Sequence, residues 1–102
     1  MQPTIGRIVH YRLSDADVAS ITSGSDATAV QKHRNPVSAG QIYPAMVTAV
    51  FDPASGTANL VVQLDGIQQH WVTSRKRGEP ADGHEPTGGT IPPGTWCWPP
   101  RV

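Results

Sequence analysis

Hydrophobic and polar residues alternate over several short stretches of this chain, a pattern typical of β-strands that bury one face. The first stretch, residues 4–13, places Val9 and Tyr11 on one face. Ile8 and His10 fall on the opposite face. The alternation predicts the first strand of the protein.

Two further alternating stretches predict the next strands. Residues 42–51 carry Pro44 near their start. Since proline cannot donate to a strand ladder, we expect that end to lie on a sheet edge. Residues 57–64 place Leu60 and Val62 on the buried face of a third strand.

An Asp-Gly pair joins the third strand to a fourth. Asp65 and Gly66 lie between two alternating runs, the second being residues 67–74. Both residue types tolerate the positive φ angles of a type I′ turn. The pair therefore predicts a tight β-hairpin.

The stretch PPGTWCWPP places two tryptophans around the only cysteine. As a fifth strand it would put Trp96 and Trp98 on one face and Cys97 on the other, with prolines limiting both ends. The chain has one Phe and two Tyr, so few other large groups can fill a core, and we favour burial of the tryptophans. The alternative is that one tryptophan is exposed as a partner-binding anchor.

One helix and two long loops complete the pattern. Ser14 is a suitable N-cap, and Asp17 stands in the first turn, where the helix dipole favours anions. The helix is expected to end near Ser23. Residues 24–41 and 75–94 have little periodicity and many small or polar side chains, so both are predicted to be loops.

Together these elements predict a single domain, residues 1–102, that is mainly β. Five short strands with one short helix and two long loops are typical of a small, partly closed barrel of the SH3-like or OB-like kind. Gly and Pro number 10 each. Because either residue destabilises a helix interior, this composition favours a loop-rich β-protein over a helical bundle.

The charge balance gives no general attraction to polyanions. Eight basic residues match eight acidic ones, so binding to nucleic acid or to an acidic membrane would need a local patch. No apolar run approaches the roughly 20 residues of a membrane span, and the first residues do not resemble a signal peptide. We therefore expect a soluble protein without a membrane partner, either intracellular or exported by a route that needs no N-terminal signal.

The chain contains residue types that can catalyse reactions or bind metals, but their spacing does not match known catalytic or metal-binding motifs. The four histidines and Cys97 show no zinc-site spacing, there is no GxSxG motif, and the acidic residues are scattered. We expect His10 and His70 to pair across strands or to face solvent, and the Cys97 thiol to lie in or against the core. The sequence thus predicts a protein that is not an enzyme, with no catalytic residue, metal or cofactor.

A basic cluster supports one alternative function. Arg75, Lys76 and Arg77 are consecutive and adjoin the predicted strand that carries Trp71. Barrels of this class bind single-stranded nucleic acid by stacking bases on aromatic rings beside basic residues. Three adjacent basic residues are more often a solvated loop, and the zero net charge agrees with that interpretation.

Motifs spread over most of the chain carry a family resemblance. They are TIGRIVHYRLS, NPVSAGQIYPAMVTAVF, ANLVVQLDG, WVTS and PGTWCWP. They resemble a group of small β-rich proteins of tailed bacteriophages and prophages, in which the ending typically reads PGTWHWP. Cys97 stands where that pattern has histidine, which weakens a catalytic or metal-binding role at this position. The resemblance implies a phage context, where a small β-barrel without catalytic residues is often a virion component.

These observations predict a non-enzymatic structural protein of a tailed-phage virion, a head decoration or accessory capsid protein that docks through its loops. Its partners would be other virion proteins, above all the major capsid protein, in a symmetric multi-copy assembly. It would be located in the virion, and in the host cytoplasm during assembly. The alternative is a small nucleic-acid-binding or regulatory module made during infection. The predicted partner-binding residues are Asn35, Pro36, Trp71, Arg75, Lys76 and Arg77.

Overall fold

The computed structural model describes residues 2–23, 34–80 and 84–100, and these form a mainly β fold. In chain order the elements are β1 (Ile8–Arg12), α1 (Asp15–Thr22), β2 (Ile42–Asp52), β3 (Thr57–Gln63), β4 (Gln69–Arg75) and β5 (Trp96–Cys97). The strands form one antiparallel sheet in the order β4-β3-β2-β1-β5. The prediction of five strands and a short helix is confirmed. Most of the first predicted loop, residues 24–33, lies outside the described residues.

The sheet curls until its two edges meet at one end. Just after β4, Gly78 N–H donates to Trp96 O over 2.7 Å, and Trp96 N–H donates to Lys76 O over 3.3 Å. These bonds form a short parallel bridge between β5 and the segment that follows β4. The sheet remains open along β4 itself, so the fold is a partly closed barrel, as predicted.

The core is formed by the inward faces of the strands, with the last strand supplying its largest side chain. Trp96 is fully buried, and its indole N–H donates to Gly56 O over 2.9 Å. Trp98 packs edge-to-face on Trp96 with ring centroids 5.3 Å apart, while Cys97 is buried on the opposite face of the strand. The interpretation of the tryptophans as core-filling groups is confirmed for Trp96, and Trp98 is half-buried against the core. The other buried strand residues include Val9, Tyr11, Ala45, Val47, Ala58, Leu60, Val62 and Val72.

The helix begins and ends where the sequence predicts. Ser14 Oγ accepts a hydrogen bond from Asp17 N–H, and the Asp17 carboxylate accepts one from Ser14 N–H. This reciprocal capping box satisfies backbone donors that the first turn would otherwise leave unpaired. Ile21 is buried and Val18 is half-buried, so a narrow apolar edge of the helix packs on the core.

The hairpin between β3 and β4 is present, but the predicted type I′ turn is wrong. Of the Asp-Gly pair only Gly66 has a positive φ, 152°, whereas a type I′ turn needs positive φ at both central residues. A distant segment pairs with this turn. Asn35 N–H donates to Asp65 O over 2.9 Å, and Arg34 forms a β-bridge with Gly66. The turn conformation therefore depends on a long-range contact that the local sequence does not reveal.

The first residues of β2 are paired on one side only. Pro44 pairs with His10 of β1, and pairing with β3 begins at Ala45. The nitrogen of Pro44 thus falls at the end of the β3 ladder, where a missing N–H is tolerated. The predicted edge position is correct for this end of β2, although the strand as a whole is central in the sheet.

The described part of the second predicted loop packs on the barrel. Arg12 Nη1 donates to the carbonyl oxygens of Gly89 and Ile91 over 3.4 and 3.0 Å. The Ile91 side chain is buried against this part of the domain. Arg75, predicted as the first residue of the loop, is instead the last residue of β4. Over its described residues, the loop is therefore part of the folded domain.

Candidate docking surface

A row of four apolar side chains crosses the outer face of the sheet, one from each of β1 to β4. In the register of the sheet, Met46 lies between Ile8 of β1 and Val61 of β3. Trp71 of β4 follows beside Val61. Because side chains alternate along a strand, these four point away from the core that their sequence neighbours fill. We name these four side chains the outer row.

Three of the four side chains of the outer row are well exposed, and Val61 is half-buried. Trp71 is 63% exposed, Ile8 49% and Met46 46%. One face of an antiparallel sheet normally meets water with polar side chains. A contiguous exposed apolar patch with a polar rim typically marks an interaction site. The outer row is therefore the candidate docking surface of the domain.

A groove of about 300 Å³ adjoins the outer row. Besides row residues, it is lined by Pro44, Ala45, Thr48, Gln63 and Gln69. None of the lining residues carries a formal charge. A bound partner would therefore meet apolar groups together with a few hydroxyl and amide groups.

Among the predicted partner-binding residues, Trp71 alone belongs to the outer row. Asn35 and Pro36 are exposed, but they lie beside the β3–β4 turn, where the Asn35 side chain donates to the Asp65 carboxylate. The structure does not bring these two residues and Trp71 into a single surface row.

The predicted basic cluster is divided. Arg75 Nη2 lies 3.5 Å from Asp17 Oδ1, and Arg77 Nη2 donates to Ala54 O over 3.1 Å. Both arginines are half-buried, whereas Lys76 is exposed. Two of the three cations therefore make contacts inside the domain.

The buried carboxylate of Asp17 connects three elements at one end of the barrel. The sequence indicated this residue only as an acid in the first turn of the helix. Asp17 is 2% exposed. Its Oδ2 accepts from the Tyr11 hydroxyl over 2.6 Å, and from the Ser14 N–H and hydroxyl, each over 2.9 Å. Its Oδ1 lies 3.1 Å from His70 Nε2 and also receives the Arg75 contact. This cluster ties α1 to β1 and β4.

These contacts shift the pKa of both the Asp17 carboxyl and the Tyr11 hydroxyl. Burial by itself raises the pKa of Asp17, but hydrogen bonds from His70, Tyr11 and Ser14 outweigh burial and hold that pKa well below its ordinary value. Burial, followed by the hydrogen bond to Asp17, raises the pKa of Tyr11 far above its ordinary value. Both oxygens of the carboxylate already have donors within the domain, so we interpret the cluster as a structural tie.

The histidine and cysteine expectations have different outcomes. The expectation for His70 is wrong, because its side chain is 11% exposed and bonds to the helix rather than to His10. Alternation along β4 places His70 on the inward face, but its partner Asp17 lies in α1, which the sequence of β4 does not reveal. Cys97 is buried, as expected, and burial raises the pKa of its thiol.

The described residues contain neither a metal-binding cluster nor a membrane-spanning helix. Over residues 2–23, 34–80 and 84–100, no group of three or more His, Cys, Asp or Glu side chains is placed to hold a metal ion. In the same part of the chain, no helix has the length and apolar character needed to cross a membrane.

Comparisons with protein-family models, with curated proteins and with solved structures found no match to this chain. A function must therefore be inferred from the domain itself. The feature that most clearly suits a partner is the outer row, together with its uncharged groove.

Proposed function

We propose that this chain is a non-enzymatic structural protein of a tailed-phage particle, and that it docks on another virion protein through the outer row. The observation that carries the proposal is the alignment of apolar side chains on the outside of a domain whose inner face already forms a complete core. Such surface is unfavourable in water and becomes favourable when a partner covers it. The phage context rests on the resemblance of the sequence motifs.

The side chains of the outer row and its groove indicate which kind of partner surface would be complementary to them. Trp71 is a large exposed anchor of the kind that dominates interface energetics. Gln63 and Gln69 supply hydrogen-bonding groups beside the apolar row, and the groove lining has no formal charge. The matching surface is apolar at its centre and uncharged. We propose the major capsid protein as the partner, because a shell presents the same surface in many copies.

We propose the outer row, rather than the long loops, as the main docking element. Arg12 holds the backbone of the second loop, and Ile91 anchors that loop in the domain. Residues 24–33 and 81–83 lie outside the described residues, so a contribution from those segments stays a prediction.

The nucleic-acid alternative has less support from side-chain geometry. It needs a run of available cations beside an exposed aromatic ring. Trp71 is exposed, but Arg75 contacts Asp17 and Arg77 contacts Ala54. Lys76 is the exposed member of the basic triplet.

A charge placed in the outer row tests the proposal. Met46→Lys should fold, because position 46 is exposed, but it should bind the partner at least about tenfold more weakly, since docking would bury an unpaired ammonium group. Phe51→Lys is the matched control, because Phe51 is a 62%-exposed apolar residue of the same strand outside the row.

The measurement is quantitative peptide mass spectrometry of gradient-purified particles, with this chain counted against the major capsid protein. We expect the unmodified chain and Phe51→Lys at copy numbers of the same order as the capsid protein, and a depleted Met46→Lys. Absence of the unmodified chain from particles would refute the virion assignment. Full incorporation of Met46→Lys would refute docking through the outer row.

A further inference from the structure

Along one edge of the sheet, backbone groups of β4 have no hydrogen-bond partner among residues 2–23, 34–80 and 84–100. Leu64 N–H donates to Gln68 O, so Leu64 and Gln68 form a hydrogen-bonded pair. Because such pairs alternate along an antiparallel ladder, His70 and Val72 also direct their N–H and C=O groups toward β3. The intervening residues direct theirs away from β3, toward the open edge. They are Gln69, Trp71 and Thr73.

This edge has no backbone partner within the described part of the chain. The bonds that join the two sheet edges begin only after β4, at Lys76 and Gly78. Residues 69–74 include no proline and no Lys, Arg, Asp or Glu, which commonly block edge pairing. The pairing with β3 is regular from Gln69 to Val72, and a β-bulge follows at Thr73 and Ser74. The opposite edge differs, since β5 has two residues and prolines on both sides.

We infer that the β4 edge pairs with the β4 edge of a second copy of this chain, antiparallel and centred on Trp71. In this register Trp71 faces Trp71 of the second copy, and Gln69 faces Thr73. The two-fold arrangement is isologous, so each β4 edge supplies N–H donors and C=O acceptors to the same groups of the other edge. It forms about six backbone hydrogen bonds, two for each of the three facing pairs.

A second copy fits this edge better than a charged or proline-rich peptide. The facing pairs oppose no like charges, and their side chains all lie on the outer face of the sheet. Pairing also brings the two outer rows into one continuous apolar row, which enlarges the proposed docking surface. The inference concerns contacts between copies and does not depend on the identity of the virion partner.

Hydrogen exchange at different protein concentrations tests the pairing. When the concentration is raised from about 5 to about 500 μM, we expect sedimentation to change from monomer to dimer and the Trp71 and Thr73 amides to gain at least tenfold protection. The amides of His70 and Val72 bond to β3 in both states and should stay protected throughout. Fast exchange at Trp71 and Thr73 in a monomer at every concentration would overturn the inference. Protection at these two amides that is independent of concentration would also overturn it, because the edge would then be covered within one chain.

Two variants at one exposed position complete the test. Thr73→Pro removes an edge-directed N–H, which a free edge strand tolerates, whereas Thr73→Val keeps the N–H. We expect the proline variant to stay monomeric where the valine variant dimerises. A dimer unaffected by Thr73→Pro would place the contact elsewhere and refute the inference.

If the proline variant does not fold, Trp71→Lys opposes two like charges at the two-fold axis and should give the same monomer. Loss of dimerisation is measured without particles, so it is separable from the Met46→Lys result.

Discussion

At the scale of single residues, Asp17 links three separate parts of the chain. Its carboxylate accepts from Tyr11 of β1 and from the helix cap at Ser14, and it meets His70 and Arg75 of β4. A buried charge is unfavourable unless donors surround it, and here each oxygen has at least two close donor groups. The side chain therefore stabilises the fold only while it is ionised.

Replacing this carboxylate should change both the stability and its pH dependence. Because the folded-state pKa of Asp17 lies below the unfolded value of about 3.9, the carboxylate stabilises the fold above about pH 4, and this contribution disappears as the pH falls further. We expect Asp17→Asn to lower the free energy of unfolding by about 3 kcal/mol at pH 7, since the donors of His70, Tyr11 and Ser14 lose their buried charged acceptor. The variant should also lose less additional stability than the unmodified protein between pH 5 and 2.

Urea unfolding at pH 7, 4 and 2.5 measures both effects. Asp15→Asn is the control, because Asp15 is an exposed acid in the same helical turn. Parallel pH profiles for Asp17→Asn and the unmodified protein would show that the buried carboxylate does not control acid stability.

At the scale of elements, strands were predictable and the contacts between distant elements were not. Alternation placed Leu60 and Val62 inward correctly, because a half-buried strand needs an apolar residue at every second position. In the structure, Ile8 and Val61 both lie on the outer face. The row they share with Met46 depends on register, which pairs separate strands and cannot be read within any one of them. The Asp17 cluster was missed for the same reason, since its members come from three elements.

The second loop gives the clearest prediction at this scale. At Gly78 an added Cβ atom would clash with Thr95 Oγ1 and come within 2.6 Å of Ile91 Cβ, so alanine at this position must displace Thr95 together with the buried loop residue Ile91. We expect Gly78→Ala to lower the free energy of unfolding by about 2 kcal/mol. At Gly89 the nearest side-chain atom would lie 3.9 Å from an added Cβ, so Gly89→Ala should have little effect.

Urea unfolding of the two glycine variants, together with limited proteolysis of the second loop, separates these outcomes. We expect faster cleavage within residues 79–90 for Gly78→Ala alone. Equal stability and equal cleavage rates for the two variants would mean that the loop is not anchored at Ile91.

At the scale of the whole molecule, the barrel depends on one short strand near the end of the chain. β5 pairs with β1 on one side and bonds to Lys76 and Gly78 on the other, so it links the two edges of the sheet. It also supplies Trp96, the largest fully buried side chain. The two edges therefore differ in role: the β5 edge closes the domain, and the β4 edge is available to a second copy.

Shortening the chain tests whether closure is required for folding. A chain that ends at Thr95 lacks β5, and loss of the Trp96 side chain alone costs about 4 kcal/mol, a large part of the 5–15 kcal/mol that stabilises a typical domain. The closing hydrogen bonds are lost as well. We therefore expect no cooperative urea transition and no near-ultraviolet circular dichroism from this chain. A chain that ends at Trp98 keeps both closing contacts and should unfold cooperatively. A cooperative transition in the chain that ends at Thr95 would mean that β1 to β4 and α1 fold as a sheet without closure, and that the last strand only covers a domain already formed.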